Sequence, residues 1–236
     1  MYGMFGWYDP SIILLVPAII FTIFAQAKVK SAYSRYSNIP TDRGITGAQA
    51  ARMILDSNGM GHVPIEIVPG TLTDHYDPAN DVMRLSSDVY HGSSVASVCI
   101  AAHESGHAIQ DGTSYGFLTF RSKMAPVVSV TSSLSWPLLI IGLIIAQAGN
   151  AATGNLIFDI GVLFFLVVIL FHTVTLPVEF NASSRALKQI NQLGILDASE
   201  LKGAKKVLSA AAMTYVAALA TAIANLIRIL VLRGRD

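Results

Sequence analysis

The sequence predicts a mainly α-helical membrane protein: about four transmembrane helices, with a small α+β polar region between the first two. Three observations predict this. Of the 236 residues, 53% are hydrophobic and only 13% charged, roughly half the charge usual in soluble domains. Four apolar runs reach about 20 residues, the length that crosses a hydrocarbon core of about 30 Å. The polar residues gather in one long stretch, residues 30–124. A net charge of +1 supplies no basic field for phosphates and argues against a nucleic-acid partner. Cys99 is the only cysteine, so neither an internal disulfide nor a cysteine zinc cluster is available.

The elements follow in order. Residues 11–29 form the first span, with Trp7 and Tyr8 placed for an interfacial aromatic belt. No Lys or Arg precedes it, and Lys28 and Lys30 follow, unlike a cleaved signal peptide. Thr46 with Gln49 makes a capping box for a helix over 47–57, closed by Asn58 and Gly59. Ala50, Ala51, Ile54 and Leu55 share one face of it and call for a packing partner. Short strands are expected over 65–68, 72–76 and 81–86, with turns at Pro69-Gly70 and Asp77-Pro78-Ala79-Asn80. A helix over 94–110 comes next. The remaining spans are 126–148, 156–176 and 207–231, the last interrupted by Asn225 and Arg228. This divides the chain at 1–29, 30–124, 125–178, 179–206 and 207–236. With four crossings, 13 of the 16 Lys and Arg fall on one side, which the positive-inside rule assigns to the cytoplasm. The N-terminus is then outside.

The helix over 94–110 carries His103-Glu104-Ser105-Gly106-His107. Residues four apart lie one above the other on a helix, so both imidazoles can grip one metal ion. Glu104 stands beside them, in reach of a water at an open coordination position. A catalytic zinc takes three protein ligands, and the third is open among His62, His75, His91, Asp111 and Glu179. Glu179 follows Pro177 just past the third span. It is either a metal ligand or an interfacial carboxylate paired with Arg185, because a carboxylate in an apolar helix junction needs a partner. His172, seven residues earlier inside the span, is either functional or a neutral side chain bonded to a neighbouring helix. Cys99 reads as a packing residue. Of the strands, 81–86 is the one expected to offer an open edge to an extended peptide, unless the strands only cap the helix.

H-E-S-G-H followed by E-F-N-A-S-S-R-A is similar to the gluzincin membrane peptidases of the HtpX and CAAX prenyl protease type. A closer resemblance is to the YugP-like neutral zinc metallopeptidases of bacteria. It rests on Leu72-Thr73-Asp74-His75-Tyr76-Asp77-Pro78, Arg84-Leu85-Ser86, A-A-H-E-x-G-H-A and P-V-E-F-x-A-S, and covers about residues 43–186. The resemblance implies a zincin-like cytoplasmic region in which His103, His107 and Glu179 hold one Zn2+ per chain and Glu104 is the general base. Ser183 stands where the HtpX type has an aspartate that orients a histidine; Asp111 or Asn181 could take that role. His75, Tyr76 and Arg185 have chemistry suited to an oxyanion.

The activity so implied is that of a membrane-anchored zinc metalloendopeptidase in the cell membrane. It would cut peptide or membrane-protein substrates at the cytoplasmic face. Two alternatives stand beside it. A non-catalytic zinc-binding scaffold or chaperone needs a fourth protein ligand, for which His75 or His91 would serve. A site-2-type intramembrane protease needs the motif helix inside a span. The apolar run over 93–102 is too short for that, and Leu196-Asp197 is followed by Ala198 rather than Gly.

Overall fold

The computed structural model describes residues 10–233; Trp7, Tyr8 and Arg235 lie outside the described residues. A 3-10 turn, Pro10–Leu15, leads into α1 (Val16–Tyr36). Then come α2 (Gly47–Ser57), β1 (Ile65–Val68), β2 (His75–Asp77), β3 (Val82–Ser86), α3 (Ser87–His91), α4 (Val95–Gly112), α5 (Gly116–Gln147), α6 (Ala151–Gln192) and α7 (Glu200–Arg233). Among the described residues, four helices are long and apolar enough to cross a membrane: Ser11–Tyr36, Gly116–Gln147, Ala151–Gln192 and Glu200–Arg233. They outrun the expected spans. In particular α6 continues through Pro177 to Gln192, so Glu179 belongs to the same helix as the third apolar run.

The chain forms two compact units. One comprises residues 25–121 and 174–215. Its helix α2 begins as the sequence requires, with Thr46 Oγ1 accepting from Gln49 N and Gln49 Oε1 accepting from Thr46 N. Ser94 caps α4 by accepting from Ser97 N. The core is built from Ile54, Leu55, Met83, Leu85, Val98, Ile190 and Ile195, all fully buried. Each such side chain contributes about 1.5–3 kcal/mol on leaving water.

The sheet corrects one expectation. Its order is β1-β3-β2, with β1 parallel and β2 antiparallel to β3. The strand expected to be an open edge, 81–86, is therefore the centre. Val82, Met83, Leu85 and Ser86 are all buried, which is what a strand covered on both faces shows. The open edges are β1 and β2. Strand β2 also starts later than expected, at His75, because Leu72 sits at φ 57°, a left-handed backbone that no strand contains.

The other unit comprises the described residues of 1–24, 122–173 and 216–236. Here small residues allow close contacts, beside a small buried cluster of Leu139, Phe158, Phe165 and Ile229. A Cβ on Gly142 would lie 2.5 Å from Phe158 N, one on Gly154 2.3 Å from Ala146 N, and one on Gly161 2.9 Å from Leu139 N. These three positions let the α5 and α6 backbones approach closely, the device by which helices associate in lipid. Thr22 and Thr221 add a hydroxyl–hydroxyl bond of 3.1 Å between α1 and α7. Large apolar side chains such as Ile140, Ile144, Leu156 and Leu163 face outward.

Candidate metal centre

His103 and His107 stand one turn apart on α4, with rings edge to face and centroids 4.8 Å apart. Glu179 reaches them from α6: its Oε2 is 3.2 Å from His103 Nε2 and 3.5 Å from His107 Nε2. The two helices can come this close because position 106 is glycine. A Cβ there would lie 2.5 Å from the Ala182 carbonyl oxygen. The second letter of S-G-H is thus a packing requirement for the site.

These donors suit zinc. Two imidazole nitrogens and one carboxylate oxygen are its ordinary N and O ligands, and bonds of about 2.0–2.1 Å in a tetrahedron put donors about 3.3 Å apart. The two distances from Glu179, 3.2 and 3.5 Å, bracket that value, and all three donors lie within 4.8 Å of one another. Each donor is also held from behind. Ser183 Oγ is 3.2 Å from His103 Nδ1, Gln110 Oε1 is 3.0 Å from His107 Nδ1, and Arg121 Nη1 donates to Glu179 Oε1 at 2.8 Å. Such partners fix ring orientation and ligand basicity. Among the described residues, no other group of three or more His, Cys, Asp or Glu converges in this way.

Glu104 lies beside the donors, half-buried. Its Oε2 accepts the Tyr76 backbone N–H at 3.0 Å, so the open edge of β2 is tied to the carboxylate. Removal from water pushes the Glu104 carboxyl up to about 7; His103 opposes the shift and Glu179 adds to it. A carboxylate that exchanges its proton near neutral pH is suited to acid–base work.

The remaining expected residues are placed as follows. The Tyr76 hydroxyl donates toward Asp81 Oδ1 at 2.8 Å and Asp111 Oδ2 at 3.0 Å. Burial and these two carboxylates keep the phenol protonated, its pKa well above the usual range. Asp111 therefore serves β2 rather than a histidine, and Ser183 itself occupies the place behind His103. Arg185 donates to Asn181 Oδ1 and lies over the Tyr115 ring; the arginine on Glu179 is Arg121. His75 is exposed, with Nδ1 2.8 Å from Thr73 O. His62 pairs with Asp81, His91 packs against Tyr90, and His172 packs against Phe171. Cys99 is fully buried, and burial pushes its thiol up, out of reactive range.

Three residues were not found from the sequence. Gln110, three residues past His107 on the same helix face, was within reach of pattern reasoning. Arg121 and Tyr215, whose hydroxyl bonds Glu179 from α7, carry no local signal.

Comparison with known proteins identifies relatives of the chain. The chain is 45% identical over 227 residues to the protein named "Putative membrane protease YugP" of Bacillus subtilis (strain 168), covering 95% of this chain and 98% of the relative. No solved structure matches it. The family model described as "Putative neutral zinc metallopeptidase" matches residues 11–234, from the first apolar helix to the end of the last, and the chain belongs to that family.

Proposed function

We propose that the protein is a membrane-anchored zinc endopeptidase in which His103, His107 and Glu179 hold one zinc and Glu104 is the general base. The observation that carries the reading is the convergence of three donors, from α4 and α6, on one point beside a fourth, half-buried acid. Among the described residues no further His, Cys or acid joins the three, which supports an open catalytic site over a closed structural one. The motif helix α4 is not among the four helices long and apolar enough to cross a membrane. That supports a site outside the bilayer core rather than an intramembrane protease.

Zinc, when bound, supplies a Lewis acid that polarises a scissile carbonyl and makes water more acidic. The chain does the rest. Glu104 takes the proton of the attacking water and delivers it to the leaving nitrogen. Arg121 turns Glu179 so that Oε2 faces the histidines. The outer edge of β2 lies beside Glu104, and an extended peptide laid down there as a further strand would take over the Tyr76 N–H from Glu104 and gain sequence-tolerant affinity from main-chain bonds. Substrates on this reading are extended segments of peptides or membrane proteins, and the positive charge of the polar regions supports a site at the cytoplasmic face of the cell membrane.

The test uses the full chain in detergent, loaded with one zinc, and an unfolded protein as substrate. Glu104→Gln is expected to keep the zinc and lose at least about 100-fold in cleavage, the low end for a general base. Normal cleavage by Glu104→Gln, or cleavage by the wild type unaffected by a chelator, would overturn the reading.

A further inference from the structure

We infer that Arg185, Asn181 and Gln110 form a relay that fixes His107 with its proton on Nδ1 and a free lone pair on Nε2. Arg185 is then a positioning residue that acts three hydrogen bonds away from the metal site. The purpose of the relay rests on the zinc reading above; the relay itself exists in the metal-free chain.

The argument starts from a group that cannot reverse its role. A guanidinium has donors only. Arg185 Nε lies 2.7 Å from the Asn181 side chain, so the atom facing it is the amide oxygen, whichever way an amide is drawn. Gln110 approaches that same oxygen at 3.1 Å and the Val178 carbonyl oxygen at 2.7 Å. Both are acceptors, so only the Gln110 NH2 can face them. The other end of the amide, Oε1, is then turned to His107 Nδ1 at 3.0 Å. An oxygen there requires a proton on Nδ1. A neutral imidazole has one proton, so Nε2, the atom facing Glu179, keeps its lone pair.

Burial gives the chain of bonds its force. Gln110 is fully buried, and a reversed amide would set its oxygen against two other oxygens with no water to relieve it. His103 differs. Its Nδ1 meets the Ser183 hydroxyl at 3.2 Å, and a hydroxyl donates or accepts as needed. His103 Nε2 meets Glu179 Oε2 at 3.2 Å, and an ionised carboxylate only accepts, so in the metal-free chain the His103 proton sits on Nε2 while Ser183 donates to Nδ1. The two histidines are therefore unequal: His107 is preset for a metal, and His103 has to release its Nε2 proton to one.

The experiment is 15N NMR of the metal-free full chain in detergent, with labelled histidine, at a pH where imidazole is neutral. The His107 signal is assigned by its loss in His107→Gln. The wild type is expected to show Nδ1 protonated and Nε2 bare. Asn181→Asp keeps an oxygen for both Arg185 and Gln110 and should preserve that pattern. Asn181→Leu, with the same number of side-chain heavy atoms and no polar group, should give a mixture of tautomers, and Arg185→Met should shift it in the same direction. A simple packing role predicts no change of tautomer in Asn181→Leu or in Arg185→Met, whatever either does to stability. Titration with zinc ion should find Asn181→Leu weaker by about 10- to 100-fold and Asn181→Asp close to wild type. His107 protonated on Nε2 in the wild type, or unchanged in both Asn181→Leu and Arg185→Met, would overturn the relay. A wild type that shows the expected tautomer and binds zinc but cleaves nothing would overturn only the peptidase reading.

Discussion

The two units solve the same packing problem with opposite residues. In the unit of residues 25–121 and 174–215, large side chains such as Ile54, Leu85 and Ile190 are fully buried, and removing them from water drives the packing. In the other unit, Leu156 and Leu163 face outward, the buried apolar cluster is small (Leu139, Phe158, Phe165 and Ile229), and Gly142, Gly154 and Gly161 bring the backbones together. That inversion is what a change of solvent produces. Lipid is as apolar as leucine, so exposure there costs nothing and close backbone contact has to hold the helices together. Polar groups follow the same division. Long-range side-chain bonds crowd the first unit around the metal centre, whereas the second has a threonine pair, Thr22 and Thr221, and the Arg233–Asp159 ion pair.

The comparison breaks most sharply at Gly106, a lipid-style small residue placed in the water-style unit. Gly106→Val should force α4 away from Ala182 and weaken zinc binding by at least about 10- to 100-fold, the cost of disturbing the groups that orient metal ligands. Gly116→Ala, with nothing within 4 Å, should leave zinc stoichiometry and affinity unchanged. Equal behaviour of the two variants in a zinc titration would show that the close approach is not what builds the site.

Leucine truncation sharpens the comparison next. Leu85→Ala should destabilise the chain by about 2–5 kcal/mol, as buried leucines do. Leu163→Ala removes the same atoms from an outward-facing position and should stay within about 0.5 kcal/mol. Unfolding of the full chain in mixed detergent measures both. The smallest effect is expected at Thr221→Val, where loss of one hydroxyl pair should cost about 0.6 kcal/mol, the average for such bonds between membrane helices. A cost as large as that of Leu85→Ala would mean that polar bonds, not small-residue contacts, hold that unit together.

What the sequence made legible was whatever repeats or is local. Spans are read from long apolar runs, α2 from a capping box four residues wide, and His103 with His107 from the helical repeat. The strand order was not legible, because pairing is decided by which residues are covered. The buried run Val82-Met83 with Leu85-Ser86 around Arg84 becomes a central strand only once β1 and β2 lie on either side of it. Arg121 illustrates the other limit. It meets Glu179 across 58 residues, and nothing in the neighbourhood of either side chain announces the other.

Gly106 and Gln110 have a consequence for recognising other chains built this way. Any protein that seats a ligand helix directly on a second helix, and presets its second histidine from within the same helix, needs both residues at these offsets. The five-letter motif then becomes an eight-letter one, H-E-x-G-H-x-x-Q. Average usage makes glycine about 7% of residues, so fixing that letter alone discards roughly thirteen of every fourteen chance matches. Fixing the glutamine narrows them again. A stretch short enough to read by eye would thus separate chains with this helix-on-helix seat from the many that carry two histidines at the same spacing by accident.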